Sequence, residues 1–159
     1  MKKEKINLLF VCTGNTCRSP MAEQMFADYL KRNKNSQLAE VSSAGIYADN
    51  GRPMTPEAAG VLAEMGLTVK PHKSRLLTVD LIQNADVIVC MTENHRTALT
   101  HTFTYEAAMS DGKNRVVGTV KELIGEDLND PFGQGVEAYR VTANALTKML
   151  EPLYKFINK

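Results

Sequence analysis

Cys12 and Arg18 bracket the short run Thr13-Gly14-Asn15-Thr16-Cys17, and Ser19-Pro20 follows at once. A thiol and a guanidinium held around such a loop are the parts of an anion cradle. A phosphoryl group needs donors from several directions, and a loop that leaves a strand and enters a helix can curl its N–H groups toward one point, with the helix end adding positive potential. Gly14 and Asn15 tolerate the left-handed backbone that such a nest requires, and Arg18 offers a planar fork that fits phosphate oxygens. Cys12 would lie under the phosphorus as a nucleophile. The same donors would stabilise its thiolate, which predicts a pKa depressed below the free value of about 8.5. Ser19 can donate a hydroxyl hydrogen bond to that thiolate besides capping the helix. A bare Cys-x5-Arg pattern also arises by chance, with Cys12 a buried strand-end thiol and Arg18 a surface residue, so the context has to decide.

That context is favourable. Ile6-Asn7-Leu8-Leu9-Phe10-Val11 is a nearly continuous apolar run, as expected of a strand buried on both faces of a parallel sheet. Ser19-Pro20 reads as an N-cap with proline at the first helical position, and Ala22, Met25, Phe26 and Tyr29 follow at helical spacing. Val41-Ser42-Ser43-Ala44, ended by Gly45, is a second short strand. Thr55-Pro56-Glu57 starts another helix, with Ala58, Val61, Leu62 and Met65 on one face and Gly66 as its stop. Ala85-Asp86-Val87-Ile88-Val89-Cys90-Met91 predicts a third strand with a helix from Glu93, and Arg115-Val116-Val117 a fourth. The last helix presents Ala143, Leu146, Leu150, Leu153 and Ile157 on one face, and Pro152 should kink or end it. Residues 125–135 read as a loop. The class is α/β: a doubly wound parallel sheet flanked by helices, with a phosphate-binding loop after the first strand, where such sheets place their ligands.

The 159 residues favour one domain, expected to span 1–159. A formal net charge of +1 advertises neither nucleic acid nor membrane as a partner. Three cysteines, Cys12, Cys17 and Cys90, make no disulfide framework and fit a reducing, cytoplasmic setting. Lys2, Lys3 and Lys5 precede the first apolar run, but that run is too short for a signal-peptide core and ends in Thr13, Gly14 and Asn15. Zinc bound by Cys12 and Cys17 with His72, His95 or His101 has no standard spacing to support it, so no metal or cofactor is expected. His95 and His101 read as solvent-facing helix residues.

Phe10-Val11-Cys12-Thr13-Gly14-Asn15-Thr16-Cys17-Arg18-Ser19-Pro20-Met21-Ala22-Glu23 resembles the signature of the low-molecular-weight protein tyrosine phosphatases. Ser43-Ala44-Gly45 is similar to that family's second strand end, Val89-Cys90-Met91-Thr92 to its third strand, and Asp130-Pro131-Phe132-Gly133 to its acid loop. The resemblance implies a four-stranded parallel sheet, a phosphocysteine intermediate, no metal, phosphorylated proteins as substrates and inorganic phosphate as product. It makes Cys12 the nucleophile, Arg18 the phosphate and transition-state ligand, and Asp130 the general acid that later activates water. Without it, Asp130-Pro131 is only a turn signal. It also makes Asn15, Ser19, Ser43 and His72 a network that shapes the loop and lowers the Cys12 pKa, where His72 read alone is a surface or packing histidine. Cys17 becomes a partner for a reversible disulfide with Cys12, against the plainer reading of a small buried packing residue.

Substrate choice turns on Thr16. Phosphotyrosine-directed members usually carry a larger aliphatic residue there, and the threonine resembles the bacterial protein-arginine phosphatases. A smaller residue with a hydroxyl leaves room for a planar, polar guanidinium that an isoleucine would crowd and desolvate. The segment after the second strand, Tyr47-Ala48-Asp49-Asn50, has no tryptophan, and Phe132-Gly133 offers one aromatic wall in place of a double tyrosine. Asp130 can pair with the guanidinium while serving as acid. Phosphoarginine is therefore favoured over phosphotyrosine, with Thr13, Gly14, Asn15, Thr16, Cys17 and Phe132 around the substrate. Two rivals stand further off. A thiol-linked arsenate reductase needs two further cysteines where only Cys90 remains, and a non-catalytic phosphate-binding module needs neither Cys12 nor Asp130.

Overall fold

Strand β1 (Ile6–Cys12) is the axis of the molecule in the computed structural model, which describes residues 4–159. Lys2 and Lys3 lie outside the described residues. Leu8, Phe10 and Cys12 point into one core and Leu9 and Val11 into another, so the continuous apolar run reports a strand covered on both faces. β1 pairs in parallel with β2 (Ala39–Gly45) on one side and β3 (Val87–Cys90) on the other, and β4 (Val116–Thr119) pairs with β3. The described residues thus form a four-stranded sheet in the order β2-β1-β3-β4. The chain leaves β1 for β2 on one side and then crosses to β3 on the other, which places a topological switch point at the carboxyl end of β1. Cys12 stands there, level with Gly45, while Val11 is level with Cys90.

Helices α1 (Arg18–Arg32), α2 (Pro56–Glu64), α6 (Val120–Ile124) and α7 (Val136–Ile157) cover one face, burying among others Met21, Met25, Phe26, Val61, Leu62, Val120 and Leu146. α3 (Val79–Asn84), α4 (Glu93–Thr100) and α5 (Phe103–Met109) cover the other, with Ile82, Leu99 and Ala108 buried against Ile88 and Cys90. The arrangement is the doubly wound one that the alternating strand and helix signals predict.

Several local expectations are corrected. α1 begins at Arg18 with Cys17 at its N-cap and no side-chain cap, so Ser19 is not the capping residue; its hydroxyl is drawn to Cys12 and Asn15. Met65 is the exposed C-cap of α2 rather than part of its buried face. α7 does not end at Pro152 but runs on to Ile157, with Leu153 and Ile157 buried on its core side. α3, α5 and α6, of 6, 7 and 5 residues, were too short to leave a readable period. Among the described residues no helix is long and apolar enough to cross a membrane.

Candidate active site

Residues 13–17 leave the end of β1 and feed α1, so the loop amides and the helix N-terminus share one side of the sheet. Asn15 sits at φ 58°, the left-handed conformation predicted from its type. It is fully buried and organises everything around it. Its side-chain amide donates to Ser19 Oγ and to Ser43 Oγ, both at 2.9 Å, and its Oδ1 accepts the backbone N–H of Arg75 at 3.0 Å. His72 Nε2 lies 2.7 Å from the Asn15 carbonyl, and Ser43 passes its own proton to Glu23 Oε1 at 2.7 Å. The side chain of Asn15 thus has a partner for each of its two amide hydrogens and for its oxygen. Ser19, Ser43 and His72 all meet in this network. Glu23 and Arg75 complete it. Arg75 also donates from Nε to the Ser43 carbonyl at 2.8 Å and had no local signal, because residues 70–78 reach the loop only by running back beside β2.

Gly45 sets how closely β2 can approach. A Cβ there would meet the Thr13 carbonyl oxygen at 2.5 Å and the Ala48 methyl at 2.8 Å. Ile46 and Tyr47 donate their amides to the Cys12 and Thr13 carbonyls at 3.0 Å, which ties the loop's first residues to the strand beside it. On the far side the Thr55 amide donates to the Thr16 carbonyl at 3.0 Å.

Cys12 Sγ is buried 2.8 Å from Ser19 Oγ and 3.3 Å from the Asn15 amide. Burial is the largest influence on its thiol and pushes the pKa above its ordinary value; the Ser19 hydroxyl, the Ser19 and Asn15 amides and Arg18 each pull it down. The expected depression is therefore corrected in the balance, since counting donors along the loop leaves out the desolvation that the fold imposes. Cys17 is likewise a free thiol, 3.3 Å from the hydroxyl of Tyr139 and 3.7 Å from that of Thr55. Burial drives Cys90 up to about 12, so it is an inert core thiol.

Arg18 is buried and runs back across the mouth of the loop, donating from one terminal nitrogen to the Leu128 carbonyl at 2.9 Å and facing Asp130 Oδ2 with the other at 3.8 Å. This brings the acid loop to the phosphate loop across more than a hundred residues of chain. Asp130 is 58% exposed and accepts the Phe132 amide at 3.1 Å, a self-contained turn followed by Gly133 at φ 74°. Thr16, half-buried, lines a cavity of about 380 Å³ with Gly14, Tyr47, Asp49, Thr55 and Phe132. Tyr47 and Phe132 are 74% and 65% exposed and give that mouth two aromatic walls, one from the segment after β2 and one from the acid loop.

His95 is the largest correction. It is buried, not solvent-facing, because α4 turns it inward onto the loop: Nε2 lies 2.8 Å from Thr13 Oγ1 and Nδ1 3.0 Å from Thr92 Oγ1. Burial first, then Arg18, lowers its pKa from the usual 6.5 to about 4, against the opposing pull of Asp130 and Asp127. His101 is exposed at the end of α4, as expected. Among the described residues no group of three or more His, Cys, Asp or Glu is placed to hold a metal ion.

A parallel sheet that delivers a buried cysteine, a nest of amides and an arginine to one helix N-terminus, with a carboxylate facing the arginine, defines a cysteine-dependent phosphatase. Residues 7–159 match the family model described as low molecular weight phosphotyrosine protein phosphatase, and the chain belongs to that family. It is 35% identical over 158 residues to a protein-arginine-phosphatase of Bacillus subtilis, covering 97% of this chain and 98% of the relative. It is 31% identical over 150 residues to the low molecular weight protein-tyrosine-phosphatase PtpB of Staphylococcus haemolyticus, covering 93% and 97%. Among solved structures, a cysteine-to-serine variant of YwlE arginine phosphatase with a phosphorylated active-site serine matches with a TM-score of 0.84 at 33% identity, covering 97% of each chain. The protein is a hydrolase, a cysteine-based protein phosphatase that works through a phosphocysteine intermediate.

Proposed function

We propose that the protein hydrolyses phosphoarginine on proteins, with Cys12 as nucleophile, Arg18 as phosphoryl ligand and Asp130 as general acid and base. In the first step Cys12 gives up its thiol proton to solvent and the thiolate sulfur attacks phosphorus. An S–P bond forms as the N–P bond breaks, and Asp130 passes its proton to the departing guanidine nitrogen. In the second, Asp130 takes a proton from water as the water oxygen attacks, the S–P bond breaks and inorganic phosphate leaves. Thr13, Gly14, Asn15, Thr16 and Cys17 surround the phosphoryl group, and Phe132 flanks the side chain that carries it. Ser19, Asn15, Ser43 and His72 keep the loop in its curled form, and Cys17 serves as the redox partner of Cys12. A single domain over 1–159 carries all of this. Three free thiols support a cytoplasmic setting.

One observation carries the choice of substrate: Thr16 lines the cavity, with Asp49, paired to Arg52 at 3.1 Å, in the same lining. A guanidinium presents donors in a plane and is rejected where it is desolvated without acceptors, so a hydroxyl and a carboxylate suit it better than an aliphatic branch does. The protein-arginine-phosphatase relatives support the same choice. A second reading, phosphotyrosine, is favoured by Tyr47 and Phe132 together, since two exposed aromatic faces suit a phenol ring.

Turnover of phosphoarginine and phosphotyrosine peptides by the native protein and by Thr16→Ile decides between them. The native protein is expected to prefer phosphoarginine and the variant to lose that preference. A native preference for phosphotyrosine, or an unchanged ratio in the variant, rejects the assignment. Cys12→Ser tests the nucleophile: turnover is expected to vanish while oxyanion binding persists, and retained turnover would remove Cys12 from the mechanism.

A further inference from the structure

His95 takes no part in the transfer just described, yet the residue is only 8% exposed and its ring has a partner on both nitrogens. The ring is neutral, since burial and Arg18 push its pKa down to about 4. A neutral imidazole carries one donor and one acceptor nitrogen, so its two contacts cannot be alike. Thr92 Oγ1, 3.0 Å from Nδ1, already accepts the backbone N–H of His95 at 3.1 Å as the cap of α4. Its own proton is then free to go to Nδ1. In that arrangement the ring proton is on Nε2 and is donated to Thr13 Oγ1 at 2.8 Å. With that lone pair occupied, the Thr13 proton turns away from His95 and into the cavity of about 400 Å³ that Thr13 shares with Arg18, Tyr47, His95 and Asp130. The opposite tautomer would leave the spare proton on half-buried Thr92. The Nε2–H form leaves it on exposed Thr13, where a bound molecule can accept it.

We propose that His95 is a positioning residue that holds the Thr13 hydroxyl with its proton turned into the site, making Thr13 a hydrogen-bond donor to a phosphoryl oxygen of the substrate. The proposal rests on residues 12–18 being the phosphoryl-binding loop. The chain Thr92–His95–Thr13 spans β3's end, α4 and the loop after β1, so it also explains why an uncharged histidine is buried beside Arg18. A hydroxyl donor to a charged phosphoryl oxygen is worth about 10- to 100-fold in binding.

Three measurements test it. Long-range ¹H–¹⁵N spectra of the His95 ring at pH 7 should show Nε2 protonated and Nδ1 bare; a protonated Nδ1 overturns the proposal. Thr13→Val should weaken inorganic phosphate binding and lower kcat/KM by about 10- to 100-fold, with Thr13→Ser losing less because it keeps the hydroxyl. Equal losses in the two variants overturn it. His95→Gln, whose amide nitrogen reaches roughly where Nε2 stands, should retain more activity than His95→Leu, and adding His95→Leu to Thr13→Val should bring little further loss. Losses that multiply overturn it, and should His95→Leu fail to fold, the spectra and the Thr13 pair still decide. Inorganic phosphate binding to Cys12→Ser separates the two layers: no binding rejects the loop assignment itself, whereas retained binding beside multiplying losses rejects only the role of His95.

Discussion

The two loops that meet at Arg18 are built in opposite ways. The phosphate loop is buried and cross-braced: Asn15 alone is bonded to Ser19 in the first turn of α1, to Ser43 on β2, and to His72 and Arg75 in the segment that runs beside β2. The acid loop is exposed and held by its own short turn, by the Leu128 carbonyl on Arg18 and by a 3.8 Å ion pair from Asp130 to the same guanidinium. The difference follows the work each does. Donors aimed at a phosphoryl group are most effective when they need not reorganise. The looser tether fits the role proposed for Asp130, which gives a proton in one step and takes one in the next.

That contrast can be broken experimentally. The largest effect is expected at the loose loop. Asp130→Ala should lower turnover by about 10²- to 10⁴-fold for poor leaving groups and much less for good ones. Because the side chain is exposed, the unfolding midpoint should barely move. An equal loss for all leaving groups, or a large drop in stability, would mean that the acid loop is structural and that the contrast is false.

Next comes Asn15→Ala, which should act on both properties at once. It leaves the Arg75 amide without its acceptor and removes the donors to Ser19 and Ser43. It also puts a residue unsuited to φ 58° in the turn. A stability loss of about 2–4 kcal/mol is expected from chemical denaturation, with about 10²-fold in kcat/KM from the displaced donors. A variant as stable as the native protein would show that the network is redundant.

A smaller, graded effect is expected from pH. In the unfolded chain His95 titrates near 6.5, and in the folded one near 4. Above about 6.5 it is neutral in both states and imposes no penalty. As pH falls from about 6.5 toward about 4, only the unfolded chain takes up this proton, so stability is lost across that window and no further below it. Urea midpoints measured across the window should fall less steeply for His95→Gln than for the native protein; parallel slopes would place the burial of His95 in doubt. The smallest effect belongs to Phe132→Ala. Removing one exposed aromatic wall should raise KM about 2- to 5-fold and leave kcat nearly unchanged, and a fall in kcat instead would tie Phe132 to the setting of Asp130.

Much of this was legible along the chain because the information was local. The strand, the Gly14-Asn15 turn and the helix that follows are contiguous, so residue type and period sufficed to place Cys12 and Arg18 at a phosphate-binding loop. Gly45 beside Ser43 could be read as a strand end, though not as the residue whose missing Cβ lets the Thr13 carbonyl in. The family signature supplied Asp130, Ser43 and His72, which spacing alone would not have chosen. What stayed hidden was whatever depends on approach from elsewhere. Arg75 lies 60 positions from Asn15, and its bond there runs through its backbone amide, which leaves no mark on residue type. His95 looked like a surface residue because polar neighbours surround it in sequence, while the fold turns it onto Thr13, 82 positions away.

The amino-acid sequence by itself determined the sheet class, the loop that grips an anion and the thiol inside it, since strand periodicity, left-handed turn residues and helix starts are short-range consequences of side-chain sterics and hydrogen bonding. Only the tertiary structure decided the electrostatic state of that thiol, the partners that lock Asn15, the inward turn of His95 and the pairing of Tyr47 with Phe132 at the mouth. Those properties are set by desolvation and by contacts across the sheet, and neither exists until the distant segments have packed.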